Sequence, residues 1–118
     1  MLPAENRLKK RKDFEYVFKR GKGFEEEVLI LKIVDNNLEN PRFGFVVSQK
    51  VSKKAVVRNK IKRRLREIVR KRLPSIKKKV DGVLIARPGI ERKTFVELEK
   101  IVENLFNEAK LFNEKRSS

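Results

Sequence analysis

Residues 55–67 of the chain read Ala55-Val56-Val57-Arg58-Asn59-Lys60-Ile61-Lys62-Arg63-Arg64-Leu65-Arg66-Glu67. They lie at the centre of a longer basic segment, residues 50–79, which holds fifteen lysines and arginines and a single acid, Glu67. A solubilising surface normally mixes both signs of charge, whereas a segment of one sign repels itself unless a polyanion lies against it. The basic segment therefore predicts a surface that binds a polyanion, in preference to a helix that is merely solvated.

The basic segment also has the periodicity of an amphipathic helix. Its apolar residues recur every three or four positions and form one arc, which consists of Val57, Ile61, Leu65, Ile68 and Val69. Beside this arc, basic side chains repeat at i, i+4 in a row made of Arg58, Lys62, Arg66 and Arg70. Ser52 is the predicted N-cap, and Pro74 ends the helix. We expect the arc to pack on a core and the basic side chains to face outward.

The residues around the basic helix predict an α+β fold. A short helix is expected over residues 10–20, with Gly21 as a left-handed C-terminal cap. Strands are predicted at residues 28–34, 42–49 and 80–87, and a turn-rich loop joins the first two as an antiparallel hairpin.

The last helix has the clearest start signal. Thr94 and Glu97 have the spacing of a capping box, in which each side chain bonds the other residue's backbone N–H. The apolar stripe that follows consists of Leu98, Ile101, Leu105 and Phe112. The predicted order is α-β-β(-β)-α-β-α, a small α/β sandwich with helices packed on a sheet.

Composition indicates one basic domain without cysteine. The 118 residues are expected to form a single domain with flexible ends at residues 1–8 and 114–118. Thirty-two bases against sixteen acids give a net charge of +16, which attracts nucleic acid or an anionic membrane. The absence of cysteine favours a reducing cytoplasm. The apolar runs are too short for a signal peptide or a membrane span, so we expect a cytoplasmic protein that does not bind membranes.

The residues that enzymes most often use for acid–base and metal chemistry are absent. The chain has no histidine, which excludes histidine-based proton transfer and metal ligation. Its one acidic cluster is Glu25-Glu26-Glu27, and three consecutive side chains cannot converge on a pair of metal ions. We therefore predict no catalytic residue and no metal bound by the protein.

The aromatic residues pose a second question. Phe14 and Phe18 share one face of the first predicted helix with Val17. The two rings belong either to the core or to the edge of a groove in which single-stranded bases stack. The remaining phenylalanines are predicted core residues: Phe24, Phe43, Phe45, Phe95, Phe106 and Phe112.

Four stretches, taken together, resemble the bacterial ribonuclease P protein subunit family. The run Arg58-Asn59-Lys60-Ile61-Lys62-Arg63, followed by Arg66-Glu67, resembles the family's "RNR" signature. Residues 7–22 are similar to its first helix, residues 42–48 to its central strand and residues 83–89 to its last strand. Each stretch alone is a weak signal, but four in the right order are highly specific.

This resemblance implies both a fold and a function. The family fold is an α/β sandwich with a left-handed βαβ crossover, an exception to the usual handedness. The family's protein binds a large catalytic RNA, ribonuclease P RNA, and the pair removes the 5′ leader from precursor tRNA. The RNA supplies the hydrolytic chemistry and holds the Mg²⁺ ions, so the resemblance implies no cofactor on the protein and no protein partner.

The resemblance also implies two sets of site residues. Those that contact the catalytic RNA are Arg58, Asn59, Lys60, Lys62, Arg63 and Arg66. Those that line the cleft for the single-stranded leader are Phe14, Phe18 and Lys32. Two positions depart from the family pattern. Lys60 replaces an arginine and keeps the charge without the bidentate fork, and Lys32 stands where an aromatic can occur, so a phosphate contact would replace stacking.

Two other classes of protein remain possible from the residues alone. A structural RNA-binding protein of the ribosomal type would need only the charge. A homeodomain also carries Arg and Asn in a basic helix, but it is all-helical and contains a tryptophan, whereas this chain has none and has predicted strands.

Overall fold

A computed structural model of the protein describes residues 2–112. Three α-helices and four β-strands make up its main elements: α1 (Arg11–Arg20), β1 (Lys22–Glu26), β2 (Leu29–Asp35), β3 (Arg42–Val46), α2 (Ala55–Arg72), β4 (Val80–Ala86) and α3 (Phe95–Glu108). Short 3₁₀ turns lie at Ala4–Asn6, Leu73–Ser75 and Ile90–Arg92. This order confirms the predicted α+β fold, and β1 is the additional strand that the prediction allowed for. The predicted flexible end at 114–118 lies outside the described residues.

The four strands form one mixed sheet in the order β1-β2-β4-β3. Strand β2 pairs antiparallel with both β1 and β4, whereas β3 pairs parallel with β4. The predicted hairpin of β2 with β3 is therefore wrong, because β4 lies between them. Six of the seven residues of β4 are buried, as expected for a strand with neighbours on both sides and helices on both faces. The hairpin partner of β2 is β1, the additional strand to which the sequence prediction gave no residue range.

One face of the sheet packs against α2 and α3 and holds the larger core. The buried residues of α2 are Ile61, Leu65, Ile68 and Val69, four of the five that the predicted arc contains. Helix α3 buries Leu98, Ile101, Val102, Leu105 and Phe106. The capping box of Thr94 and Glu97 is formed as predicted. Of the six phenylalanines predicted as core, Phe43 and Phe106 are buried, and the other four are partly buried against this core.

The opposite face of the sheet is called the α1 face, and within residues 2–112 it packs only against α1 and the N-terminal segment. Its small core consists of Leu8, Val17 and Val83. The N-terminal segment, expected to be flexible, instead lies against the sheet: Leu2 and Asn6 are buried, and Arg7 forms a β-bridge with Phe43. The Asn6 amide also donates a 2.8 Å hydrogen bond to the carbonyl of Pro41.

Two helix ends are capped differently from the prediction. Gly21 is extended (φ −74°, ψ 152°) and not left-handed; a Cβ there would lie 2.4 Å from the Val17 carbonyl oxygen, so only glycine fits. The N-cap of α2 is Lys54, without a side-chain cap. Ser52 instead accepts a 3.2 Å hydrogen bond from the Lys54 backbone N–H, in the turn before the helix. Helix α2 ends at Arg72, close to the predicted stop at Pro74.

Helix α2 connects β3 to β4, two neighbouring parallel strands. The βαβ unit implied by the resemblance is thus present. Its left-handed sense stays a prediction.

Candidate nucleic-acid interface

Helix α2 presents a broad basic surface to solvent because its apolar arc is held on the sheet. Of the six residues predicted to contact RNA, Asn59, Lys60 and Arg63 are exposed, and Arg58, Lys62 and Arg66 are half-buried. At 100° per residue, Arg58, Lys62 and Arg66 follow one flank of the helix, Asn59 and Arg63 its crest, and Lys60 the opposite flank. The structure therefore divides the predicted set among two flanks of the helix and the crest between them.

Most of these side chains have their donors free. Among residues 2–112, five of the six have no ion-pair or hydrogen-bond partner: Asn59, Lys60, Lys62, Arg63 and Arg66. Arg58 differs, since its Nη1 donates a 2.9 Å hydrogen bond to the Ser52 carbonyl oxygen and fixes the turn before the helix. The single acid of the helix, Glu67, is bonded by Arg70, which holds the pKa of that carboxyl below its usual range. These unpaired cations are available to bind the phosphates of a polyanion.

Phe14, Phe18 and Lys32, the predicted leader-cleft residues, lie together on the α1 face. The ring centroids of Phe14 and Phe18 are 6.4 Å apart and the rings are tilted by 46°. Phe14 is half-buried over the sheet, whereas Phe18 is 40% exposed. Phe18 is therefore not a core residue, and Phe14 is partly one. The Lys32 ammonium donates a 3.1 Å hydrogen bond to the Phe18 carbonyl oxygen, so it lies at the C-terminal end of α1.

The sheet beside these rings offers an apolar floor. Ile30, Ile85 and Val46 stand in register on β2, β4 and β3, and all three are only partly buried. The neighbouring row carries Lys32 and Gly44. An aliphatic floor edged by aromatic rings and a cation suits unstacked bases joined by phosphates, because bases stack on rings and phosphates bind cations.

An ion-pair network that the sequence prediction missed fixes α1 on this face. Arg42 binds Asp81 with two hydrogen bonds of 2.8 and 2.6 Å, and its Nη2 lies 3.6 Å from an Asp13 oxygen on α1. Asn36 donates a further 2.9 Å hydrogen bond to Asp81. The Asp81 side chain is only 8% exposed, and its bonds raise the pKa of Arg42. A lone acid inside the apolar run of β4 was the available signal, because buried carboxylates need partners.

The described residues contain no group of three or more acidic, histidine or cysteine side chains able to hold a metal ion. The acids of the β1–β2 hairpin are engaged elsewhere. Glu25 contacts Arg87 at 3.1 Å, Glu27 contacts Lys93 at 2.7 Å, and Glu26 accepts a hydrogen bond from Asn104. None of the helices described within residues 2–112 combines the length and the apolar character needed to cross a membrane.

The mixed sheet excludes the all-helical homeodomain. The unpaired cations of α2 on one side of this sheet and the aromatic rings of α1 on the other are suited to binding nucleic acid, which indicates a nucleic-acid-binding protein of α+β type. Comparison with known proteins identifies its family. The family model described as Ribonuclease P matches residues 2–110, and the chain belongs to this family. The family's protein component is part of a ribonucleoprotein endonuclease that processes tRNA, and it binds RNA.

Relatives and solved structures agree with this assignment. The chain is 40% identical over 112 residues to the Ribonuclease P protein component of Syntrophomonas wolfei, covering 95% of this chain and 93% of that one. It is 39% identical over 112 residues to that of Alkaliphilus metalliredigens, covering 95% and 100%. The solved RNase P protein of Staphylococcus aureus superposes with a TM-score of 0.84 at 31% identity, covering 92% and 98%. These matches confirm the resemblance and the fold.

Proposed function

We propose that this protein binds ribonuclease P RNA through α2 and the 5′ leader of precursor tRNA through the α1 face, and so assists Mg²⁺-dependent removal of the leader. The family membership leaves no support for the alternative of a ribosomal-type RNA-binding protein. One observation carries the division of labour: the free cations of α2 and the Phe14–Phe18 pair belong to helices on opposite faces of one sheet. A single chain can therefore hold two RNA segments at once.

The basic surface of α2 is suited to the larger RNA. Arg58, Arg63 and Arg66 each offer a planar guanidinium that grips a phosphate bidentately, and Lys60 and Lys62 add point charges. Asn59 on the crest has an amide that both donates and accepts, so it can bond a sugar or a base edge. Binding of this kind neutralises phosphates and releases counterions, which makes assembly strongly dependent on salt.

The α1 face is suited to a single strand. Phe18 offers an exposed ring, and the row of Ile30, Ile85 and Val46 provides an apolar floor beside it. Lys32 has spare ammonium protons for a leader phosphate, even though one proton is bonded to Phe18. Mature tRNA has no leader, so this face would distinguish precursor from product.

Phosphodiester hydrolysis is assigned to the RNA partner. The chain contains no histidine, and within residues 2–112 its carboxylates form no group of three or more that could hold a metal ion. The Mg²⁺ ions that activate water and stabilise the leaving oxygen would then be held by RNA phosphates. The protein's part is to bind, to orient the leader and to lower the Mg²⁺ concentration that the complex needs, since its cations offset phosphate repulsion.

Reconstitution tests this function directly. The full-length protein is added to a bacterial ribonuclease P RNA at low Mg²⁺, and cleavage of precursor tRNA is followed on gels. We expect the protein to restore cleavage that the RNA alone does not show at that Mg²⁺ concentration. Equal rates with and without the protein at every Mg²⁺ concentration tested would contradict the proposal. Hydrolysis by the protein alone would contradict the assignment of the chemistry to RNA.

A further inference from the structure

A concave site lies on the flank of α2 that carries Lys60, away from the α1 face. It is a cavity of about 580 Å³ between the N-terminal half of α2 and the start of α3. Its lining consists of Val57, Lys60, Ile61, Arg64, Glu91, Lys93, Thr94 and Phe95. Sites for small ligands are typically about 300–1,000 Å³, so this cavity has room for one nucleotide.

The walls of the cavity combine apolar and cationic groups. Val57 and Ile61 of α2 supply apolar atoms to the lining, and Phe95 at the start of α3 supplies an aromatic ring. Lys60 and Arg64 stand one helical turn apart on the same flank. Lys71 lies 5.8 Å from the centroid of the Phe95 ring but is not part of the cavity lining.

The cavity lining carries more positive than negative charge. Three cations and one acid line it. Lys93 pairs with Glu27 at 2.7 Å, and the Glu91 carboxylate accepts a 3.0 Å hydrogen bond from the Gly89 N–H. Among residues 2–112, Lys60 and Arg64 have no ion-pair or hydrogen-bond partner. The cavity is therefore an apolar slot with two unpaired cations on one wall.

This combination selects a ligand that is planar and apolar at one end and anionic at the other. A nucleobase stacks on an aromatic ring, and its phosphate binds Lys and Arg. The crest residues Asn59 and Arg63 lie next to Lys60 on the wheel, so an RNA strand on the crest passes the cavity.

We propose that this cavity binds one unpaired nucleotide of the RNA partner, with its base against Phe95 and its phosphate on Lys60 and Arg64. The proposal rests on the proposed function for the identity of the RNA, but not for the chemistry of the site. It also gives Lys60 a role that differs from that of Arg58, Lys62 and Arg66 on the other flank. A lysine suits this role because a point charge is sufficient beside the guanidinium of Arg64.

Adenosine monophosphate is the probe for the isolated site. It is titrated into the full-length protein while backbone amide signals are followed by NMR. We expect saturable shifts confined to residues 57–64 and 93–95, with weaker shifts for adenosine or inorganic phosphate alone. The Val57→Phe variant should abolish these shifts by filling the slot. The matched control Val56→Phe adds the same ring at a neighbouring position, 78% exposed and outside the cavity, and should leave them unchanged. Absent shifts, or shifts centred elsewhere, would overturn the proposal.

The assembled complex provides the second readout. Val57→Phe or Arg64→Ala should weaken binding of ribonuclease P RNA about tenfold, within the range expected for one stacked nucleotide. Val56→Phe and Arg92→Ala, an exposed arginine outside the cavity, should leave it unchanged. Arg64→Ala removes side-chain atoms and adds none, so it keeps the test usable if Val57→Phe does not fold.

The two proposals fail in different ways. If the four variants assemble alike with an RNA that the wild-type protein activates, the nucleotide site is wrong and the proposed function stands. If the protein does not activate the RNA but adenosine monophosphate still binds in the cavity, the proposed function is wrong and the site stands.

Discussion

The ring of Phe14 lies directly on Gly44, so close that a Cβ built on Gly44 would be 2.3 Å from Phe14 Cζ and 2.5 Å from Cε1. Carbon atoms in proteins do not approach to these distances, because van der Waals contact between them begins near about 3.5 Å. Because glycine has no side chain, Gly44 allows α1 to pack closely on the sheet. It also fixes Phe14 as the inner ring and Phe18 as the outer ring of the cleft.

Gly44→Ala should displace the Phe14 ring and disturb the cleft. We expect stability to fall by about 1–3 kcal/mol, the usual cost of overpacking, and the affinity for precursor tRNA to fall more than that for mature tRNA. Urea unfolding and binding of the two tRNAs to the reconstituted complex measure these effects. Gly23→Ala is the matched control, because a Cβ there meets only the Lys32 side chain, at 3.7 Å. Equal behaviour of the two variants would contradict this account of Gly44.

Phe18→Ala and Phe14→Ala test stacking on the leader. Each should weaken binding of precursor tRNA by about 1–3 kcal/mol and spare mature tRNA, because only the precursor carries bases for these rings. Tyr16→Ala removes an aromatic that is 54% exposed on the same helix but points well away from both phenylalanines. This control should change neither affinity. Equal loss for both tRNAs would assign the rings to packing alone.

Arg63→Ala tests the contact between the crest of α2 and ribonuclease P RNA. Removal of one phosphate contact should weaken assembly and reduce the slope of log K against log salt by about 0.7–0.9. Arg58→Ala should lower the slope as well, and it should also destabilise the turn held by its bond to the Ser52 carbonyl. Lys100→Ala, on the exposed side of α3, is the control. An unchanged slope for Arg63→Ala would remove this residue from the interface.

Arg42→Met should be the most destabilising of these substitutions. It leaves the Asp81 carboxylate almost buried without its bidentate partner, and loss of one member of a buried pair costs about 3–5 kcal/mol. Asp13→Asn removes only the outer contact at 3.6 Å and should cost about 1 kcal/mol or less, as for exposed ion pairs. Thermal or urea unfolding distinguishes them. Similar losses in the two variants would show that the network acts through α1 and not through Asp81.

Glu97→Gln should lower the free energy of unfolding at neutral pH and leave it unchanged in strong acid. The backbone N–H of Thr94 bonds the Glu97 carboxylate and holds its pKa below the ordinary value of 4.5. A carboxyl whose pKa is lowered by folding stabilises the protein above its unfolded pKa, and this contribution is lost as the pH falls through the folded pKa. In urea unfolding, wild type and Glu97→Gln should therefore differ at pH 7 and converge only after the pH has fallen below the lowered pKa that Glu97 has in the folded protein. A difference that persists in strong acid would contradict this origin.

Local patterns in the sequence predicted the parts of the fold that depend on near neighbours. The arc from Val57 to Val69 and the capping box at Thr94 follow from spacing within one helix. The pairing of β2 with β4 joins residues about fifty positions apart, and no short-range signal specifies it. The predicted capping roles of Gly21 and Ser52 were wrong. Gly21 is required because the Val17 and Ile33 carbonyl oxygens leave no room for a Cβ, and Ser52 bonds the Lys54 N–H in the turn before α2.

The site was predictable to a similar extent. Phe14, Phe18 and Lys32 do come together, but the resemblance named Lys32, and only the structure shows its ammonium on the Phe18 carbonyl. Arg42 and Gly44, which position α1, lie in the stretch that resembles the central strand. Their roles depend on Asp81 and Phe14 from other elements, so no reading of that strand alone could assign them. The contacts of these residues with RNA stay predictions.

The central place of β4 in the sheet has a consequence for synthesis of the chain. It is the sixth of the seven main elements in sequence order, yet in the sheet formed by residues 2–112 it is the strand that joins β2 to β3. When residues 1–75 have emerged from the ribosome, the whole of α2 is present. The β1–β2 hairpin and β3 cannot yet form one sheet, because β4 has not been synthesised. During that interval the basic residues of α2 are exposed before the sheet that α2 packs on is complete. The last third of the chain therefore decides whether these cations meet RNA as an ordered surface or as an unfolded polycation.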